Sequence, residues 1–122
     1  MIKVLRLGHR AGRDDRISTH VGLVARQFGV EKVYFSGEKD TNMLESIRDI
    51  VDRWGGDFEV EYTESWRTVI KDFDGFVCHL TMYGERIDDK ISFLKDKYDS
   101  EDFLIVVGSE KVPREVYKLS DL

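Results

Sequence analysis

The run FLIVVG at 103–108 carries no polar side chain, and this constrains the fold more than any other stretch. It is far shorter than the ~18 residues of a membrane span. A short apolar run of this kind reads as a strand covered on both faces. Four further runs are extended in pattern: IKVLRL (2–7), KVYFS (32–36), FEVEYT (58–63) and GFVCHL (75–80). Between them Leu44, Ile47, Ile50, Val51 and Trp54 fall at helical spacing, as do Trp66, Val69, Ile70 and Phe73. Ile87, Ile91, Leu94 and Tyr98 repeat the pattern before the last strand. Ser18 is expected to cap a helix from Thr19 to Phe28, with Gly29 ending it. Strand–helix alternation implies an α/β fold, a mostly parallel sheet with helices on both faces. At 122 residues the chain is expected to be a single domain, 1–122.

In such sheets ligands bind beyond the carboxyl ends of the strands. That rule selects GHRAGRDDR (8–16), LTMYGE (80–85) and GSEKVP (108–113). Gly108 allows a sharp turn after the last strand, and Pro113 suits a first helical position. Met82 and Tyr83 are large apolar groups in a loop, suited to a ligand wall or a partner subunit. Gly84 is expected at positive φ. His79 beside Cys78 has no second pair at zinc spacing, so it reads as a satisfied strand residue and no metal is expected.

The charge distribution singles out the first of these loops. Residues 6–21, RLGHRAGRDDRISTHV, hold four arginines and two histidines in a chain of net charge −5. Surface ion pairs contribute little to stability, so folding does not require the cluster. Arginine's planar fork suits phosphate, and Arg10 and Arg13 are the expected phosphate contacts. Arg26 lies within a helix and off its apolar face, where a surface arginine is the plain reading. Lys3 and Arg6 break up the N-terminal run, so no signal peptide is expected. The single cysteine, Cys78, cannot form an internal disulfide and fits a reducing, cytoplasmic setting.

A response-regulator receiver domain is excluded by spacing. Asp14 and Asp15 lie seven or more residues past the first strand, and the third strand ends in Tyr62-Thr63-Glu64 with no phosphorylatable aspartate.

RLGHRAGRDDRISTHVGLVARQFGV, RWGGDFEV, VCHLTMYGE and VVGSEKVPREVY together resemble the archaeal tRNA cytidine-56 2′-O-methyltransferases, of the SPOUT (α/β knot) class. The resemblance implies transfer of methyl from S-adenosylmethionine to a 2′-hydroxyl in the T-loop of tRNA. A non-catalytic nucleotide- or RNA-binding α/β domain is the alternative. The resemblance implies cofactor contacts at Leu80, Gly108, Ser109, Glu110, Lys111 and Val112. HVGLVARQFGV is similar to the N-V-G-A-I-x-R-T motif of other SPOUT ribose methyltransferases. That similarity assigns active-site roles to His20 and Arg26, with Arg16 among the arginines competing for the role. A ribose hydroxyl is a poor nucleophile, and a guanidinium can stabilise its developing oxyanion. The class also implies a homodimer, with tRNA as the macromolecular partner and no membrane association. The family continues past this chain's SDL with a strand and a motif resembling NQPHSE. The knot and the cofactor pocket are therefore expected to be incomplete, and the chain alone inactive.

Overall fold

The computed structural model describes residues 1–80, 87–108, 112 and 114–121. The elements are β1 (Ile2–His9), α1 (Asp15–Gln27), β2 (Lys32–Gly37), α2 (Thr41–Trp54), β3 (Glu59–Tyr62), α3 (Trp66–Asp72), β4 (Phe76–Leu80), α4 (Ile87–Ser100), β5 (Phe103–Val107) and α5 (Arg114–Leu119). The strands form one sheet in the order β3-β2-β1-β5-β4, and every pair is parallel.

Period-two alternation sorts the strand side chains onto two faces. Val4, Val33, Phe35 and Val60 pack with Ala25 of α1 and with Met43, Leu44 and Ile47 of α2. Phe76, Cys78 and Phe103 share that face and meet Leu94 of α4. Leu5, Leu7, Val77, Leu104 and Val106 point the other way, onto Ile70 of α3 and Val116 of α5. Helices α1, α2 and α4 therefore cover one face, and α3 and α5 cover the other. Arg67 ties the latter two together through a two-point pair with Glu115, at 2.8 and 2.9 Å. Among the described residues no helix is long and apolar enough to cross a membrane.

Edge strand β4 does not leave its outer backbone bare. Asp121 donates its N–H to the Val77 carbonyl at 2.8 Å and accepts from the Val77 N–H through Oδ2, also at 2.8 Å. One residue thus imitates a ladder partner where an open edge would invite association.

The helix after β1 begins earlier than the spacing predicts. It starts at Asp15, with Asp14 at the cap position and no side-chain cap bond. Ser18 is not a cap but a fully buried residue within the first turns. Its hydroxyl has a stronger claim elsewhere, described below.

Candidate functional site at the carboxyl ends of β1 and β5

Neighbouring strands β1 and β5 send their following helices to opposite faces, since α1 lies on one and α5 on the other. This divergence makes a topological switch point, and it is in the crevice at such a point that open α/β sheets bind ligands. The last row of the sheet there is Leu80, Val107 and Arg6, because Val107 pairs with both of the others. All three lie on the face of α1 and α4. Leu80 is half exposed, at 47%.

Arg6 is the unusual member. The charge pattern groups it with the loop arginines, but it is a strand residue with only 3% exposure. Its Nη1 donates to the Gly108 carbonyl at 2.6 Å and to the Leu7 carbonyl at 3.1 Å. Its Nε has no hydrogen-bond partner among the described residues. Burial pulls its pKa down, with nearby Asp14 opposing. Gly108 is glycine for reasons of space rather than φ: a Cβ there would overlap the Val112 side chain. Gly108 and Val112 thus close on one another beside the Arg6 guanidinium. Ser109, Glu110 and Lys111 lie outside the described residues, as do Met82, Tyr83 and Gly84.

Beyond Arg6 the β1–β2 register slips, so that Arg6 faces Phe35 but His9 faces Gly37. Two residues, Leu7 and Gly8, are opposed by Ser36 alone, and such a bulge re-aims the side chains that follow. Strict alternation would turn His9 toward α3; the slip turns it toward α1 and α2. Gly37, at φ 104°, is required here because a Cβ would lie 2.6 Å from the His9 backbone. The buried His9 ring is then held at both nitrogens. Nδ1 meets Ser18 Oγ at 2.7 Å and Nε2 meets Asp40 Oδ2 at 3.0 Å. Asp40 also caps α2 by accepting from Met43 N–H at 3.0 Å. The bond from His9 holds the Asp40 carboxyl below the usual carboxylate range. One imidazole therefore pins the starts of two helices. Ser18 is fully buried, so this Ser-His-Asp chain is an anchor and not a nucleophile. His9, Asp15 and Asp40 bring potential ligand atoms within 4.8 Å of one another. Both carboxylates sit at helix N-termini, whose amides already supply positive charge, and no metal is assigned.

The loop between β1 and α1 is clipped by Asp14. Its carboxylate accepts from the Arg10 backbone N–H and Nε, each at 3.0 Å, and from Nη2 at 3.2 Å. These side-chain bonds hold Asp14 below the ordinary carboxylate range. Arg13, Arg16 and His20 are exposed on the loop and the first half of α1.

A family model described as "tRNA ribose 2′-O-methyltransferase, aTrm56" matches residues 54–122, more than half of the chain. The tRNA (cytidine(56)-2′-O)-methyltransferase of Thermococcus kodakarensis is 53% identical, over 99% of this chain and 69% of its own length. The chain belongs to this family. Enzymes of the same name from Pyrococcus horikoshii and Pyrococcus abyssi are each 54% identical over 99% of the chain. The chain spans 60% of the first of these and 62% of the second. A solved malate dehydrogenase from Salinibacter ruber aligns with 98% of this chain and 41% of its own, at 22% identity and a TM-score of 0.48.

Of the residues that the family resemblance selects, the fold brings Leu80, Gly108 and Val112 to the switch point. Arg26 is not among them. It ends α1, a helix of 13 residues and so about 20 Å long, and its Nη2 donates to the Gly55 carbonyl at 2.9 Å. Gly55 is the C-cap of α2, so within one chain Arg26 satisfies the far end of a neighbouring helix. Sequence reasoning missed His9, Asp40 and the burial of Arg6. The close glycines around them, Gly8 and Gly37, are the signal that a bulge was there.

His79 departs from expectation in a different way. It is a buried strand residue, 6% exposed, with its ring edge-on to Tyr117 at 4.8 Å between centroids. Neither ring nitrogen has a hydrogen-bond partner among the described residues, so it is not satisfied there. Burial lowers its pKa and keeps the ring neutral. The unfolded chain binds a proton near pH 6.5 that the folded chain refuses, so stability falls as pH drops below that value. The slope for one such group approaches at most about 1.4 kcal/mol per pH unit. Denaturant titrations between pH 7 and pH 5 should show this decline in the parent, and His79→Leu should flatten it.

Proposed function

We propose that the chain is the larger part of an S-adenosylmethionine-dependent tRNA 2′-O-methyltransferase of the SPOUT class, acting on cytidine 56 in the T-loop. The observation that carries the reading is family membership, supported by the meeting of Leu80, Gly108 and Val112, three of the residues that the resemblance selects, at the switch point. The crevice suits a flat, partly apolar ligand. Leu80 offers an exposed apolar wall, and Gly108, having no side chain, lets Val112 pack directly against the backbone as the chain leaves β5. Leu80, Gly108, Ser109, Glu110, Lys111 and Val112 would hold the cofactor, whose sulfonium supplies an electrophilic methyl group.

The protein's own contribution is to place the ribose and steady the oxygen that attacks. An exposed guanidinium near the target hydroxyl lowers the cost of the developing negative charge. Arg16 and His20 stand on the ligand side of α1. Arg26, at the far end, would serve a site only across a subunit boundary. A homodimer supplies that boundary, and α1 displays apolar side chains for one: Ile17 is 56% exposed and Phe28 78% exposed. Arg10 and Arg13 would meet tRNA phosphates. The reading places the protein in the cytoplasm of an archaeon, where its substrate resides.

Two outcomes are expected. A form extended to the length of its relatives, incubated with tRNA and methyl-labelled cofactor, should yield 2′-O-methylcytidine at position 56. RNA binding without any labelled nucleoside would favour the non-catalytic binding domain. For RNA contact, Arg13→Ala should reduce the slope of log affinity against log salt by about 0.7–0.9. Arg10→Ala should do the same and also lower thermal stability, since it removes the two side-chain bonds to the buried Asp14 carboxylate and leaves only the backbone one. An unchanged slope in Arg13→Ala would return that residue to the solvated surface.

A further inference from the structure

A buried arginine in a central strand is costly. Removing a guanidinium from water carries a penalty of several kcal/mol, and an apolar residue of similar volume commonly serves folding as well or better. Arg6 is flanked by apolar positions, with Val4 and Val107 on its own face. Its hydrogen bonds go to two backbone carbonyls rather than to a carboxylate. One of these belongs to Gly108, the residue at which the chain leaves β5. The same guanidinium lies within electrostatic reach of the Arg10–Asp14 pair that shapes the basic loop. Its unpartnered Nε shows that the group is not placed for its own satisfaction.

We propose that Arg6 is a positioning residue for the methyl-donor site: its buried guanidinium grips the Gly108 carbonyl and fixes the point at which the chain leaves β5. The proposal rests on the function assigned above to the switch-point crevice. Arg6 does not touch the transferred group. It fixes the backbone that would, from a strand whose own position is set by pairing on both sides. It also holds the donor side of the crevice in fixed relation to the basic loop that follows β1.

Arg6→Met removes the charge and the grip while filling the same space, and should fold with thermal stability equal to or above the parent. Arg6→Lys keeps the charge and can reach one carbonyl. Titration with S-adenosylmethionine should show binding weakened tenfold or more in Arg6→Met, with an intermediate loss in Arg6→Lys. Affinity for tRNA should change less than twofold. Amide hydrogen exchange across 108–112 should quicken in Arg6→Met while that of β1 and β5 stays as in the parent. Equal donor affinity in a stably folded Arg6→Met would overturn the proposal. If the parent chain binds no donor, the cofactor reading of this chain fails instead, and exchange alone decides: unchanged rates at 108–112 would overturn the positioning role.

Discussion

The parallel pairing of β1 with β5 is the constraint on which the rest of the molecule depends. It joins the β1–β2–β3 half of the sheet to β4 and makes β1 and β5 central, so both must be covered on two faces. Leu5, Leu104 and Val106 are fully buried as a result. Covering two faces obliges the helices to divide, and β1 and β5 send the helices that follow them to opposite faces. The crevice is therefore a consequence of how the core is buried. Parallel strands also put every carboxyl end on one side, which gathers Arg6, Leu80 and Gly108 into a single neighbourhood.

Around that crevice the protein spends buried polar groups that the core does not need. Arg6, His9, Asp14 and Ser18 are all nearly inaccessible, and all lie at or just beyond the carboxyl end of β1. Each fixes backbone: Arg6 the start of 108–112, His9 and Ser18 the starts of α1 and α2, Asp14 the basic loop. Unsatisfied, such groups would cost roughly 1–3 kcal/mol apiece. Their concentration at one end of one strand marks that end as geometrically demanding. At the opposite end of the sheet the grooves have a different character. One of about 390 Å³ is bordered by Asp72, Asp74 and Asp102, with Met1 and Lys3. There the three carboxylates face Lys3 and the Met1 ammonium, which pairs with Asp102 at 3.4 Å, and no arginine among the described residues lines the groove.

The strands and their parallel order class were legible because burial on two faces leaves continuous apolar runs, and FLIVVG has no other reading. Helices α2 and α3 were legible from apolar spacing. The start of α1 was not, because Ser18 has two possible partners. Sequence alone favours the local cap, and the long-range bond to His9 wins only once β1 is folded against α1. The bulge at Leu7 and Gly8 hid His9 for the same reason, since strict alternation assigns it to the wrong face. Arg6 was misgrouped because charge counting cannot distinguish a strand arginine from a loop arginine four residues away. Leu80, Gly108 and Val112 came from family resemblance, and topology explains why they meet. His79 looked satisfied because most buried histidines are; its two unpaired nitrogens are visible only in three dimensions.

The central claim is that the switch point between β1 and β5 is where the methyl donor binds. Amide chemical-shift mapping of the isotope-labelled chain during titration with S-adenosylmethionine tests it directly, since even weak binding shifts resonances. The largest changes should fall on Leu80, Gly108 and Val112, with smaller ones at Arg6 and Leu7. Changes concentrated instead around Met1, Asp74 and Asp102, at the amino ends of the strands, would contradict it.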